Sequence, residues 1–173
     1  IIIPVLNEYE SINELTERLN NVVLQLQKKN FQVALNIIDD GSEIEFNKVL
    51  NQISSKYEYI NIIQLTRNFG HQSAIRAGID NSSSDAVIML DGDLQDPPEI
   101  IIEMVAEWEK GFDVITCVRE VRKGVSFFKK IIYKLFYIIF SNSVTFKSTR
   151  DSGDFRLIAK WVVEEIQSVK EHN

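Results

Sequence analysis

One cysteine and two histidines are all that 173 residues supply of the softer metal ligands, and that scarcity excludes two classes at once. Cys117 can form no internal disulfide, which fits a reducing compartment, and its place in the apolar run "DVITCV" marks a buried, inert thiol. His71 and His172 stand in no zinc-type spacing. Positive charge is short as well: 19 Lys and Arg against 25 Asp and Glu give a net charge of −6, so nucleic acid is not an expected partner. Long apolar runs are missing. The most apolar stretch, "SFFKKIIYKLFYIIFSNSV", is broken by Lys129, Lys130 and Lys134, and its uncharged core from Leu135 to Phe140 is too short to span a bilayer. No signal-peptide pattern, repeat or low-complexity linker occurs. What remains is ordinary: 45% hydrophobic and 25% charged residues suit one globular domain over residues 1–173. The opening "IIIPVLNE" lacks Met and reads as a strand already under way, so the chain is expected to be a fragment.

Strand-like runs recur as "IIIPV", "VALNII" (33–38), "INIIQL" (60–65), "AVIML" (86–90) and "DVITCV" (113–118). Helical patterns alternate with them. Ile12, Leu15, Leu19, Val22, Val23 and Leu26 recur at helical spacing, with Ser11 and Glu14 placed as a capping box, and Ser42 with Glu45 repeats that signature. Ser73 to Ile79 and Pro98 to Lys110 supply two further helices. Such alternation predicts an α/β domain with a mostly parallel, doubly wound sheet, in which ligands bind beyond the carboxyl ends of the strands. "PVLNE", "DDGS" and "DGDLQD" each follow a strand and are expected on one rim.

The stretch "AVIMLDGDLQDPPE" runs a buried strand into three acids, Asp91, Asp93 and Asp96, which repel one another unless something positive sits among them. Mg²⁺ or Mn²⁺ would serve, since these ions take one or two carboxylates together with substrate phosphates. Period-two geometry can turn the first two carboxylates to one side, and Gly92 leaves room for a phosphate. A solvated acidic turn that caps the following helix would carry the same residues. An EF-hand beginning at Asp91 fails, because Asp96 and Ile102 occupy the positions that need Gly and Glu. A haloacid-dehalogenase-like phosphatase wants Thr or Val where Gln95 stands, which weakens that reading without removing it.

"PVLNE", "DDGS", "RNFGHQSAIRAGID", "MLDGDLQDPPE" and "SGDFRLI" together resemble the family 2 glycosyltransferases, most closely the polyprenyl-phosphate branch of dolichol-phosphate mannose synthases and bactoprenol glucosyltransferases. The resemblance runs from Ile1 to about Ile158. It implies a GT-A, Rossmann-like nucleotide-sugar-binding fold, a divalent metal, and inverting transfer from a UDP- or GDP-sugar to a polyprenyl phosphate. It further implies that Pro4, Asn7 and Glu8 line the nucleoside pocket, with Leu6 where an aromatic is usual. Asp40 would contact the base with Asp39 in support. Asp91 and Asp93 would hold metal and diphosphate, and Gln95 would be a further metal ligand. Asp154 would be a base or would position the acceptor; an ordinary ion pair with Arg156 is the competing reading. Arg119 and Arg122 would meet the acceptor phosphate.

Residues 119–150 carry eight Lys and Arg and one acid, a local +7 that leaves −13 for the rest of the chain. Within them, residues 127–140 combine three lysines with nine large apolar side chains, as an interfacial helix at the cytoplasmic face of a membrane would. Related proteins carry membrane helices beyond this domain, and the resemblance implies that they lie outside this chain. A homo-oligomer is left open. Three other functions share the residues: transfer to a growing glycan, an Asp-nucleophile phosphatase using Asp91, and a nucleotide-binding domain without catalysis. Gly70 is expected at positive φ and Gly78 at a close helix–sheet contact. Arg67 and His71 lie within conceivable reach of a diphosphate.

Overall fold

The computed structural model describes residues 1–118 and 152–169. The chain divides into two compact units, Ile1–Thr116 with Asp154–Asn173, and Cys117–Gly153. The first carries the site described below, and the second lies almost wholly outside the described residues.

Five strands fall where the apolar runs predict them: β1 (Ile2–Val5), β2 (Leu35–Asp39), β3 (Ile60–Gln64), β4 (Ala86–Met89) and β5 (Val114–Val118). A sixth, β6 (Ser152–Ala159), was not expected. The strand order is β3-β2-β1-β4-β6-β5. β1, β2, β3 and β4 pair in parallel, whereas β6 runs antiparallel to β4 with Met89 opposite Arg156 and Val87 opposite Ile158. The reason β1 and β4 are so apolar is that sheets of this kind are covered on both faces. Ile2, Ile3, Val87 and Ile88 are accordingly buried.

The covering helices are α1 (Ile12–Lys28), α2 (Ile44–Lys56), α3 (His71–Asp80), α4 (Ile101–Glu109) and α5 (Lys160–Ser168). In α1 the predicted apolar stripe is the buried face, Ile12, Leu15, Leu19, Val22, Val23 and Leu26. Pro98 opens a single 3-10 turn, Pro98–Ile100, before α4 rather than α4 itself. At Gly78 a Cβ would lie 2.4 Å from Ile2 Cγ2, so the close approach of α3 to the sheet requires glycine there.

Neither capping box forms. Ser11 occupies the N-cap of α1 with no side-chain capping bond, and α2 starts after Glu43 rather than Ser42. The two hydroxyls are used across the fold instead: Ser11 Oγ donates to the Gly92 carbonyl at 2.6 Å, and Ser42 Oγ accepts from the Asn7 amide at 2.9 Å. Local sequence offered each serine a helix end, and tertiary contacts claimed both.

Candidate active site

Those serine bonds bring the three acidic loops together. Asn7, at φ 56°, completes the junction after β1 and β2, its Oδ1 accepting from the Glu43 amide at 2.9 Å. Gly92 packs against β1: a Cβ there would sit 3.0 Å from Val5 Cγ1 and 3.2 Å from the Pro4 carbonyl. The space expected for a phosphate beside Gly92 is therefore taken by the protein's own β1 end. The convergence itself is as predicted, and the loops after β1, β2 and β4 share one rim.

A fourth loop, after β3, is held there by Asp40. This carboxylate is only 4% exposed; Oδ1 accepts from the Phe69 amide at 2.8 Å and Oδ2 from the Gly70 amide at 2.9 Å. Asp39, 1% exposed, accepts from the Ser42 amide at 2.9 Å. Gly41 at φ 78° lets Arg67 approach, since a Cβ on it would lie 2.4 Å from the Arg67 carbonyl carbon. Gly70 adopts the expected positive φ, 95°, and turns the chain directly into α3. His71, the first residue of α3, thereby reaches the rim.

There His71 meets two acids from separate strands. Its Nε2 lies 2.9 Å from Asp154 Oδ2 on β6 and 3.4 Å from Asp91 Oδ1 just beyond β4. Asp154 is further bonded by Arg156 Nη2 at 3.0 Å and Gln72 Nε2 at 3.2 Å. Asp91 Oδ1, by contrast, is buried and accepts no hydrogen bond. Burial is also the main reason its carboxyl is pushed above the ordinary range; His71 draws it down, and Asp154, Asp93 and Asp96 push it further up. One potential ligand atom from each of His71, Asp91 and Asp154 falls within 4.8 Å of the others. An orphaned carboxylate oxygen flanked by an imidazole nitrogen and a second carboxylate is a donor set that Mg²⁺ or, better, Mn²⁺ fits.

The structure thus distributes the predicted residues unevenly. Asp91 and Asp154 come together. Asp93 is exposed and its Oδ1 accepts from the Gln95 amide at 3.0 Å, closing a tight turn around Leu94 at φ 60°. Asp93 does not belong to the three-residue group found among the described residues. Pro4 is buried, Asn7 and Glu8 half-buried, and Leu6 is 39% exposed with Tyr9 close behind at 41%. The pairing of Asp154 with Arg156 is present, together with contacts that sequence alone did not indicate, to His71 and Gln72. Arg119, Arg122 and the basic, apolar segment over 119–150 lie outside the described residues. Among the described residues no helix is long and apolar enough to cross a membrane.

The glycosyl transferase family 2 model matches residues 1–167. The chain is 40% identical over 173 residues to the uncharacterized glycosyltransferase YkcC of Bacillus subtilis (strain 168), covering all of this chain and 53% of that protein. It is 33% identical over 174 residues to the bactoprenol glucosyl transferase of Shigella phage SfV, covering 100% of this chain and 55% of the relative. The chain therefore spans about half the length of the curated relatives it matches. Among solved structures, the mannosyltransferase PcManGT of Pyrobaculum calidifontis, in complex with GDP-Man and Mn²⁺, superposes with a TM-score of 0.62 at 14% identity, covering 95% of this chain and 45% of that one. That likeness establishes a shared GT-A fold.

Proposed function

Since the chain belongs to glycosyl transferase family 2, we propose that it transfers one sugar, with inversion, from a UDP- or GDP-sugar to a polyprenyl phosphate at the cytoplasmic face of a membrane. The observation that carries the reading is the buried Asp91 Oδ1, which accepts no hydrogen bond, grouped with His71 and Asp154 at the rim where four loops meet. The named activity of the phage relative supports the acceptor class, and the Mn²⁺ and GDP-Man of the archaeal structure support the donor class and the metal. The family match favours sugar transfer over a phosphatase reading, and Asp91 is read as a ligand rather than a nucleophile.

In this reading Asp91, His71 and Asp154 hold the cation, with Asp93 and Gln95 able to join when donor binds. The cation supplies positive charge to the leaving diphosphate, where negative charge grows in the transition state. Asn7, Glu8, Asp39 and Asp40 form or support the nucleoside end of the site. The acceptor needs little activation: a phosphate monoester has a second pKa of about 6 and is already an anion at neutral pH. Proton abstraction by Asp154 is consequently secondary to its place in the cation group, where its contacts to His71, Gln72 and Arg156 fix its position. Arg119 and Arg122 are proposed to neutralise the acceptor phosphate, as planar guanidinium donors do well.

The test is transfer of labelled sugar from UDP-glucose and GDP-mannose, with Mn²⁺, to undecaprenyl phosphate or to an oligosaccharide. Lipid-linked label is the expected product. Label on the oligosaccharide alone would move the protein to the glycan-elongating reading.

A further inference from the structure

The loop that presents Asp91 is pinned at both ends by a helix that supplies no member of the cation group. At its start, Ser11 at the N-cap of α1 donates to the Gly92 carbonyl at 2.6 Å. At its end, Arg18 of α1 grips Glu99 through two parallel bonds, Nε to Oε1 at 2.8 Å and Nη2 to Oε2 at 2.6 Å. Arg18 Nη1 also lies 3.5 Å from Glu14 Oε1, one turn back on the same helix. Spacing explains how one helix serves both ends. Ser11, Leu15 and Arg18 stand at i, i+4 and i+7 on one face, and seven residues of helix rise roughly 10 Å. Leu15, midway between them, is buried and seats that face against the domain.

The stretch between the pins has little freedom. Gly92 is wedged against Val5 and the Pro4 carbonyl, and Asp93 closes its turn on the Gln95 amide. Asp96 is only 5% exposed. Pro97 and Pro98 then fix two successive φ angles and restrict the residue before each. A displacement of Glu99 cannot be absorbed at the prolines and is passed back toward the acids. Glu99 itself is outside the cation group among the described residues, and its side chain is 54% exposed against 32% for Arg18. Most surface ion pairs do little, but a bidentate guanidinium–carboxylate pair is charge-assisted and fixes geometry as well as charge. Arg18 also holds the Glu99 carboxyl below the usual carboxylate range, so both partners are charged at neutral pH.

We propose that Arg18 is a positioning residue of the cation site: by holding Glu99 on α1 it fixes the loop that presents Asp91 and thereby sets the affinity for the divalent ion. The inference rests on the cation group proposed above and adds a determinant that never touches the ion. The sign of the effect separates positioning from simple charge. If the pair acted on bound Mn²⁺ by charge alone, removing the Arg18 cation would tighten binding and removing the Glu99 anion would weaken it. A brace fails whichever partner is lost. Both single variants should then weaken Mn²⁺, and the double variant, which removes one charge of each sign, should weaken it no further than either.

Electron paramagnetic resonance of Mn²⁺ tests this on the unmodified chain, Arg18→Ala, Glu99→Ala and the double variant, with urea unfolding of each to report folding. Lys110→Ala, which breaks the exposed Lys110–Glu107 pair just beyond the far end of α4, is the control. The first three variants are expected to bind Mn²⁺ about three- to fivefold more weakly, the most that an exposed ion pair supplies, and Lys110→Ala as the unmodified chain does. Glu99→Ala, at an exposed carboxylate, keeps the test open should Arg18→Ala not fold. Arg18→Ala binding Mn²⁺ as tightly as the unmodified chain or more tightly, or losses that multiply in the double variant, overturns the brace. If Mn²⁺ binds and Asp91→Asn abolishes it while the pair has no effect, the cation group stands and only the brace falls. If the folded, unmodified chain binds no Mn²⁺, both fall.

Discussion

Asp40 offers the sharpest separation between two roles. If it reads the nucleobase, its removal costs nucleotide affinity and little stability. If it acts as the structure places it, clamping the loop that delivers His71, its removal costs stability and disturbs the group around Asp91. The magnitude follows from its bonds. Its carboxylate accepts two backbone N–H bonds of the charge-assisted kind, each worth about 1.5–3 kcal/mol. The Gly70 amide also has Asn68 Oδ1 at 2.9 Å and so keeps a partner, whereas the Phe69 amide has no second acceptor among the described residues. Asp40→Ala is therefore expected to lose about 2–3 kcal/mol, one full bond and part of another. Asp40→Asn, which retains one oxygen but turns a donor toward a second donor, is expected to lose about 1–2 kcal/mol. Urea unfolding reads this directly; at a slope of about 1–3 kcal/mol per molar, Asp40→Ala shifts the midpoint by about 1 M or more. Mn²⁺ affinity, followed by electron paramagnetic resonance, should fall in parallel although Asp40 touches no ligand. A variant within about 0.5 kcal/mol of the unmodified chain, with unchanged Mn²⁺ affinity, would refute the clamp and return Asp40 to base recognition.

Ser11→Ala removes the 2.6 Å bond to the Gly92 carbonyl and leaves a buried acceptor unpaired, so a loss of about 1–3 kcal/mol in urea unfolding is expected. Ser11→Thr, which keeps the hydroxyl, should recover part of it; equal loss in both would point to packing rather than the bond. Asp91 predicts a pH effect. Because its carboxyl is raised in the folded chain, chiefly by burial, the folded state binds more protons than the unfolded state between the ordinary carboxylate value and the raised one, and stability falls as pH rises through that window. Without metal, Asp91→Asn should be more stable than the unmodified chain at pH 7, with the gap closing as pH falls through that window and gone below about 4. Thermal unfolding with a chelator present, from pH 3.5 to 8, measures it, and an Asn variant less stable at pH 7 contradicts the assigned burial penalty.

The parts of this protein legible in its sequence are those fixed by local pattern. β1, β2 and β4 announce themselves as apolar runs because a sheet covered on both faces demands them, the edge strands β3 and β5 carry the same signal although they are more exposed, and the stripe of α1 is complete from Ile12 to Leu26. β6 was hidden because Asp154 and Arg156 alternate with Phe155 and Leu157; that period-two pattern was the available signal, and the two polar residues face the site while the apolar pair is buried. The rim was predictable from three motifs that each follow a strand. Its occupants were not. His71 meets Asp91 and Asp154 only through the turn at Gly70, the clamp of Asp40 and the antiparallel return of β6, none of which is a local property. Ser11 and Ser42 show the same limit, since helix-capping patterns cannot reveal that a hydroxyl is committed to another loop.

The most direct measurement is calorimetric titration of UDP and of GDP, each with and without Mn²⁺, into the unmodified chain and into Asp91→Asn. One nucleotide should bind only when Mn²⁺ is present, and Asp91→Asn should lose that Mn²⁺-dependent binding while remaining folded. Binding of neither nucleotide to a folded sample, or metal-dependent binding unchanged in Asp91→Asn, would contradict the account.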